Sequence, residues 1–247
     1  MTAPADAPSI RLYVTHDLTE GAGVPLDAKQ VHYLKNVMRL GVGDVLSVFN
    51  GRDGEWRAAV AALGRSDGVL ETVARAKQQA VEPDLWLVFA PIKKTRLDVL
   101  IEKAGELGAA RLVPVLTDRS SVRDLNAARA ASLTIEAAEQ CGRMTVPVVS
   151  PIVPLTQLLA AWPAARRLLF CDESGRAPPI AEALAGQPNG PWAALIGPEG
   201  GFSPAERDAV AALPQAVPVA LGPRILRADT AAIAALSLLQ AHLGDWR

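Results

Sequence analysis

Apolar residues in the first third of the chain come in short runs broken by glycine and charge. Residues 11–15 read as a short strand. Val31, Leu34 and Met38 recur at helical spacing, which predicts a short helix within 27–40. The apolar run 45–49 leads into Asn50-Gly51-Arg52-Asp53-Gly54, and a second run covers 56–63. Strand, glycine-rich turn and strand make a hairpin. Residues 68–76 supply another strand. Several short strands with one helix predict a small β-barrel.

Around 78–84 the rhythm changes, and Pro83 marks a linker. From Leu85 onward apolar strands alternate with helical patterns. Strands are expected at 85–92, 111–116, 167–171, 192–196 and 217–221, with a weak one at 147–153 because of its prolines. Helices are expected at 97–107 (closed by Gly108), 126–141, 155–162, 180–184, 203–213 and 227–243. This alternation predicts an α/β fold, a parallel sheet with helices on both faces. The expected division is a β-barrel over 1–78 and an α/β domain over 79–247. No internal repeat is visible.

Composition narrows the class. The 247 residues hold 25 basic and 26 acidic side chains, for a net charge of −1, and half are hydrophobic. A disordered chain would be poorer in apolar residues. Two cysteines are too few for a disulfide scaffold, and three histidines show no zinc-ligand spacing, so no metal is expected. The opening MTAPADAPSI has neither a basic start nor an apolar stretch, unlike a signal peptide. The apolar run 231–239 is too short to span a membrane. These features predict a cytoplasmic protein. Cys141 has no histidine nearby to activate it and is expected to be a buried core thiol.

Ligands of open α/β sheets bind beyond the carboxyl ends of the strands. Two successive predicted strands end in Gly-Pro turns: Gly197-Pro198-Glu199-Gly200-Gly201-Phe202 and Gly222-Pro223-Arg224-Ile225-Leu226-Arg227. Glycine lets backbone approach a ligand closely. Ile196, Leu221, Ile225 and Leu226 offer apolar walls for a flat heterocycle. Ordinary strand-to-helix turns account for part of the pattern, since Ser203-Pro204-Ala205-Glu206 is a capping box. P-loop, G-x-G-x-x-G after the first α/β strand, and nucleophile elbow are all missing.

Basic residues gather at other element ends: Lys93, Lys94 and Arg96, then Arg119 and Arg123, then Arg143, then Arg224 and Arg227. On one face they would form a phosphate-binding surface. Scattered, they would be solvated ends or helix C-terminal cations.

The Gly-Pro stretches at 195–203 and 221–227, followed by Thr230-Ala231, resemble the RsmE family. So do Glu139-Gln140-Cys141-Gly142-Arg143, Lys103-Ala104-Gly105-Glu106-Leu107-Gly108, His32-Tyr33-Leu34, Val37-Met38-Arg39 and Phe49-Asn50-Gly51. The resemblance runs in order along essentially the whole chain. It implies methylation of N3 of one uridine in 16S ribosomal RNA of the small subunit, with S-adenosylmethionine as methyl donor. It also implies a homodimer, a PUA-like barrel, and a SPOUT domain with a deep trefoil knot, an exception to unknotted folding.

The resemblance places the cofactor against Leu195, Ile196, Gly197, Glu199, Gly200, Gly201, Leu221, Gly222, Ile225, Leu226, Arg227 and Thr230. RNA would meet Arg39, Arg52, Lys93, Lys94, Arg96, Arg119, Arg123, Arg143 and Arg224. Arg143 and Arg227 are candidate cations for the anion that develops when uracil N3 loses its proton; Glu199 and Asp229 are candidate bases or orienting acids. The family more often has Glu at position 229; an acid there is expected to cap the last helix. Two other readings stand beside this one. One is ribose 2′-hydroxyl methylation, disfavoured because Leu236-Ser237-Leu238-Leu239 lacks the expected Asn. The other is a non-catalytic assembly factor, disfavoured by the intact Gly-Pro turns.

Overall fold

The computed structural model describes residues 10–246. Most of the opening segment read above for a leader lies outside the described residues. The chain divides into two units: the N-terminal part through Val81 together with Ala138–Val146, and Glu82–Ala137 together with the chain from Pro147 onward.

The first unit holds β1 (Arg11–Tyr13), β2 (Gly23–Leu26), α1 (Ala28–His32), β3 (Val45–Phe49), β4 (Glu55–Leu63) and β5 (Gly68–Lys77). The sheet order is β1-β3-β4-β5-β2, with β1 parallel to β3 and the other pairs antiparallel. Leu12, Val24, Leu34, Leu46, Val48, Val60 and Leu70 fill its core. The short β2 went unpredicted; it contains Pro25 and lies at the sheet edge, where a missing N–H is tolerated.

The helix expected within 27–40 is only partly α. Asp27 and Gln30 form a capping box, but α1 passes into a π-helical turn at Tyr33–Val37. There the Met38 amide reaches back five residues to the Tyr33 carbonyl at 2.9 Å, and Arg39 ends the turn at φ 58°. The expected hairpin turn is built by Asn50. Its side-chain oxygen accepts from the amides of Arg52 (3.0 Å) and Asp53 (2.9 Å). Asp53 accepts from the Leu18 amide (2.9 Å) and the Asn50 amide group (2.6 Å). Those two donors hold its carboxyl below the ordinary value.

The second unit begins with β6 (Leu85–Phe89), α2 (Lys94–Glu106), β7 (Arg111–Leu116) and α3 (Ala127–Cys141), whose last residues belong to the first unit. It continues through β8 (Val148–Val149), β9 (Val153–Pro154), α4 (Leu155–Ala160), β10 (Arg167–Cys171) and α5 (Ile180–Leu184). It closes with β11 (Trp192–Ile196), α6 (Pro204–Ala211), β12 (Ala216–Val219) and α7 (Ala228–Leu243). The main sheet runs β12-β10-β11-β6-β7-β8, and every pair in it is parallel. The weak strand expected at 147–153 is two two-residue pieces, each paired with β7.

Period-two alternation sorts this sheet's side chains onto two cores. Leu87, Phe89, Leu169, Ala194 and Ile196 pack on one face with Leu100 and Ile101 of α2 and Leu236 of α7. Val88, Phe170, Ala193 and Leu195 pack on the other with Leu155 and Val210. Helices on both faces therefore follow from strands that are apolar on both sides. The Ala-rich face of α7 (Ala228, Ala232, Ala235) is spent on this core. Among the described residues no helix is long and apolar enough to cross a membrane.

Candidate active site

Because the strands are parallel, the carboxyl ends of β10, β11 and β12 lie on one edge, and the loops leaving them enclose a cavity of about 530 Å³. Gly197–Gly201 forms one wall, Leu221–Arg227 a second, and Cys171, Asp172, Glu173 and Gly175 a third; Ala228 and Ala231 of α7 complete it. The volume suits a small organic ligand. The walls mix Ile196, Leu221, Ile225 and Leu226 with exposed backbone and three acids, Asp172, Glu173 and Glu199.

The first turn is locked from beneath. The Gly201 amide donates to the Pro198 carbonyl at 2.9 Å, and Gly201 sits at φ +66°. No Cβ fits at Gly197, where it would lie 2.8 Å from the Phe202 ring. Phe202 is buried and meets Phe170 edge-on at 5.4 Å. Beyond the turn, Ser203 and Glu206 make the expected capping box. Glu206 does more than cap: one oxygen accepts from the Ser203 amide and the other from the Asp118 amide, both at 2.8 Å. The Ser203 hydroxyl donates to Asp118 at 2.6 Å, and Arg119 donates to the Gly200 carbonyl at 2.9 Å. The loop after β7 thus holds the turn after β11.

A second cavity of about 360 Å³ adjoins the same turn. Lys93, Arg96, Arg119, Ser121, Glu199, Gly200 and Arg227 line it. Both cavities share Glu199, Gly200 and Arg227. Four of the basic residues singled out by position therefore converge around one hollow.

The remaining residues are distributed as follows. Leu195 is buried in the core, and Thr230 is exposed on α7 and lines neither cavity. Arg224 lines the first cavity, while Lys94 and Arg123 are exposed outside both. Arg39 and Arg52 belong to the first unit, where Arg52 pairs with Asp17 at 2.6 Å. Arg143 also lies in the first unit, half-buried, with its guanidinium 3.3 Å from the Thr145 hydroxyl.

Two expectations are corrected. Asp229 does not cap α7: Arg227 is the N-cap residue, and Asp229 sits inside the first turn. Its Oδ1 is 3.5 Å from Arg96 Nη1 and has no hydrogen-bond partner among the described residues. Cys141 is exposed, because α3 stops there and the chain turns away at Gly142, φ +85°. Cys171 is the sheltered thiol, and burial pushes its pKa up to about 12. The loop Asp172-Glu173-Ser174-Gly175 went unnoticed, although it too follows an apolar strand with acid and glycine.

An RNA methyltransferase domain family matches residues 80–240, and the PUA domain of RNA methyltransferases matches residues 26–72. Ribosomal RNA small subunit methyltransferase E of Rickettsia conorii is 31% identical over 237 residues, 94% of this chain and 96% of the relative. The protein of that name from Synechocystis is 32% identical over 94% of this chain and 78% of the relative. The crystal structure of ribosomal RNA small subunit methyltransferase E from Neisseria gonorrhoeae bound to S-adenosylmethionine superposes with a TM-score of 0.87, at 29% identity, covering 96% of this chain and 99% of that one. The chain belongs to the ribosomal RNA small subunit methyltransferase E (RsmE) family of RNA methyltransferases.

Proposed function

We propose that this protein transfers a methyl group from S-adenosylmethionine to N3 of a specific uridine in 16S ribosomal RNA of the small subunit. The observation that carries the reading is that the two cavities meet at Glu199, Gly200 and Arg227. One is apolar-walled with acids at its rim, and the other is basic. The first suits a flat adenine ring plus a cationic methionine portion: backbone along Gly197–Gly201 and Gly222 offers edges to read, and Asp172, Glu173 and Glu199 offer complementary charge. When bound, S-adenosylmethionine supplies an electrophilic methyl on a sulfonium centre. The second suits a polyanion, with Lys93, Arg96, Arg119 and Arg227 as phosphate and base contacts.

The chain's own work is alignment and charge stabilisation. Arg227, at the junction, is placed to stabilise the anion that forms on uracil oxygen as N3 loses its proton. Arg143 is the second cation in this reading. Glu199 orients Arg227 or receives the proton. Asp229 steadies Arg96, 3.5 Å away. The barrel unit presents Arg39 and Arg52 to RNA, and the division of labour follows the boundary near residues 78–81. The knot is part of this reading, as the family resemblance implies. So are a homodimeric assembly, checked by light scattering, and a cytoplasmic setting, where small subunits are found.

Arg227→Ala tests the junction. Turnover falls by roughly 10²–10³-fold, as for loss of an anion-stabilising donor, a larger loss than that in S-adenosylhomocysteine affinity measured by calorimetry. Equal losses in both would make Arg227 a cofactor contact only.

A further inference from the structure

Arg11 of β1 directs its guanidinium at the end of α3. Nη1 donates to the carbonyls of Ala138 (2.5 Å) and Glu139 (3.1 Å), and Nη2 to that of Arg143 (2.7 Å). The first two are among the last-turn carbonyls that have no partner within a helix. The third lies past Gly142, on the residue whose side chain the proposed function uses. Nε donates to Glu55 Oε2 at 3.0 Å, and Nη2 lies 2.9 Å from the same oxygen. Four hydrogen bonds and one ion pair thereby hold the guanidinium.

Arg11 is itself fixed. Glu55 is 3% exposed, the guanidinium stacks over Phe49 at 4.4 Å, and the neighbouring Tyr13 amide donates to Glu139 Oε1 at 2.8 Å. With its side chain 11% exposed and its guanidinium turned inward to these acceptors, Arg11 is not a phosphate contact. A lysine here would keep the charge opposite Glu55 but could not span three carbonyls.

We propose that Arg11, anchored by Glu55, is a positioning residue that sets the backbone of Arg143 for methyl transfer. The proposal rests on the reading of Arg143 as a cation acting on uracil. In that reading β1 and β4, which supply Arg11 and Glu55, build the loop that carries Arg143.

The test compares Arg11→Lys, Glu55→Gln, Arg143→Ala and the double variant Arg11→Lys/Arg143→Ala, with small subunits and S-adenosylmethionine at saturation. Arg11→Lys is expected to lower kcat by roughly tenfold or more, the scale of a misplaced catalytic group. KM for the subunit and affinity for S-adenosylhomocysteine should hold. Glu55→Gln moves kcat in the same direction and stands in if Arg11→Lys does not fold, as judged by thermal melting. The double variant is no slower than Arg143→Ala. Wild-type kcat in Arg143→Ala overturns the role of Arg143, and this proposal with it. A slow Arg143→Ala beside a wild-type Arg11→Lys and Glu55→Gln overturns the positioning role alone. So does a loss in Arg11→Lys that appears in KM, or one that adds fully to that of Arg143→Ala.

Discussion

Gly197→Ala probes how rigidly the proposed cofactor site is built. A methyl at that position would lie 2.8 Å from Phe202 Cε2 and 3.1 and 3.2 Å from two further ring atoms. The ring has little room to retreat, since Phe202 is 1% exposed and Phe170 stands against it. Overpacking of this kind costs about 1–3 kcal/mol. The strain is relieved where the chain yields most easily, and that is the Gly197–Gly201 turn itself, whose backbone lines the cavity. If the whole cost falls on the ligand-ready turn, affinity drops by roughly 5–150-fold. Titration calorimetry with S-adenosylhomocysteine, beside a thermal melt, reads both shares of the cost. Unchanged affinity together with an unchanged melting temperature would refute the claim that the Phe202 ring braces this turn.

Three further outcomes follow from the same contacts. Glu206→Ala leaves the Ser203 and Asp118 amides without their acceptor and costs about 1–2 kcal/mol, read as a lower melting temperature with weaker cofactor binding. Asp53, whose carboxyl is held low by the Leu18 and Asn50 donors, stabilises the fold above the ordinary carboxylate value, and that contribution is lost as pH falls through the lowered one; Asp53→Asn should therefore melt earlier at neutral pH and show a shallower acid decline. A thiol reagent near neutral pH should label exposed Cys141 quickly and Cys171 slowly, which peptide mass spectrometry distinguishes.

Much of this architecture was legible in the residues. Strands apolar on both faces, such as Trp192–Ile196, required a sheet covered twice, and the two Gly-Pro turns stood where a parallel sheet puts its ligand. What sequence could not supply was partnership across the fold. Nothing local in Glu206 shows that its second oxygen holds the Asp118 amide 88 positions away. The loop after β10 became a cavity wall only once β12 and β11 were seen to flank that strand. Cys141 is exposed rather than buried, because residue type alone does not say which helix end meets solvent. The π-helical turn at Tyr33–Val37 kept Val31 and Leu34 buried, so the periodicity was right while the hydrogen-bond register was not. Arg11 gave no signal at all, since its four acceptor atoms come from segments far apart in the chain.

The central claim is the reaction and its acceptor atom. Small ribosomal subunits from cells lacking this protein, incubated with it and labelled S-adenosylmethionine, then digested to nucleosides, give the direct answer. The account predicts label in 3-methyluridine. Label in a 2′-O-methylated nucleoside would contradict the acceptor, and no label together with no detectable cofactor binding would contradict the enzyme itself.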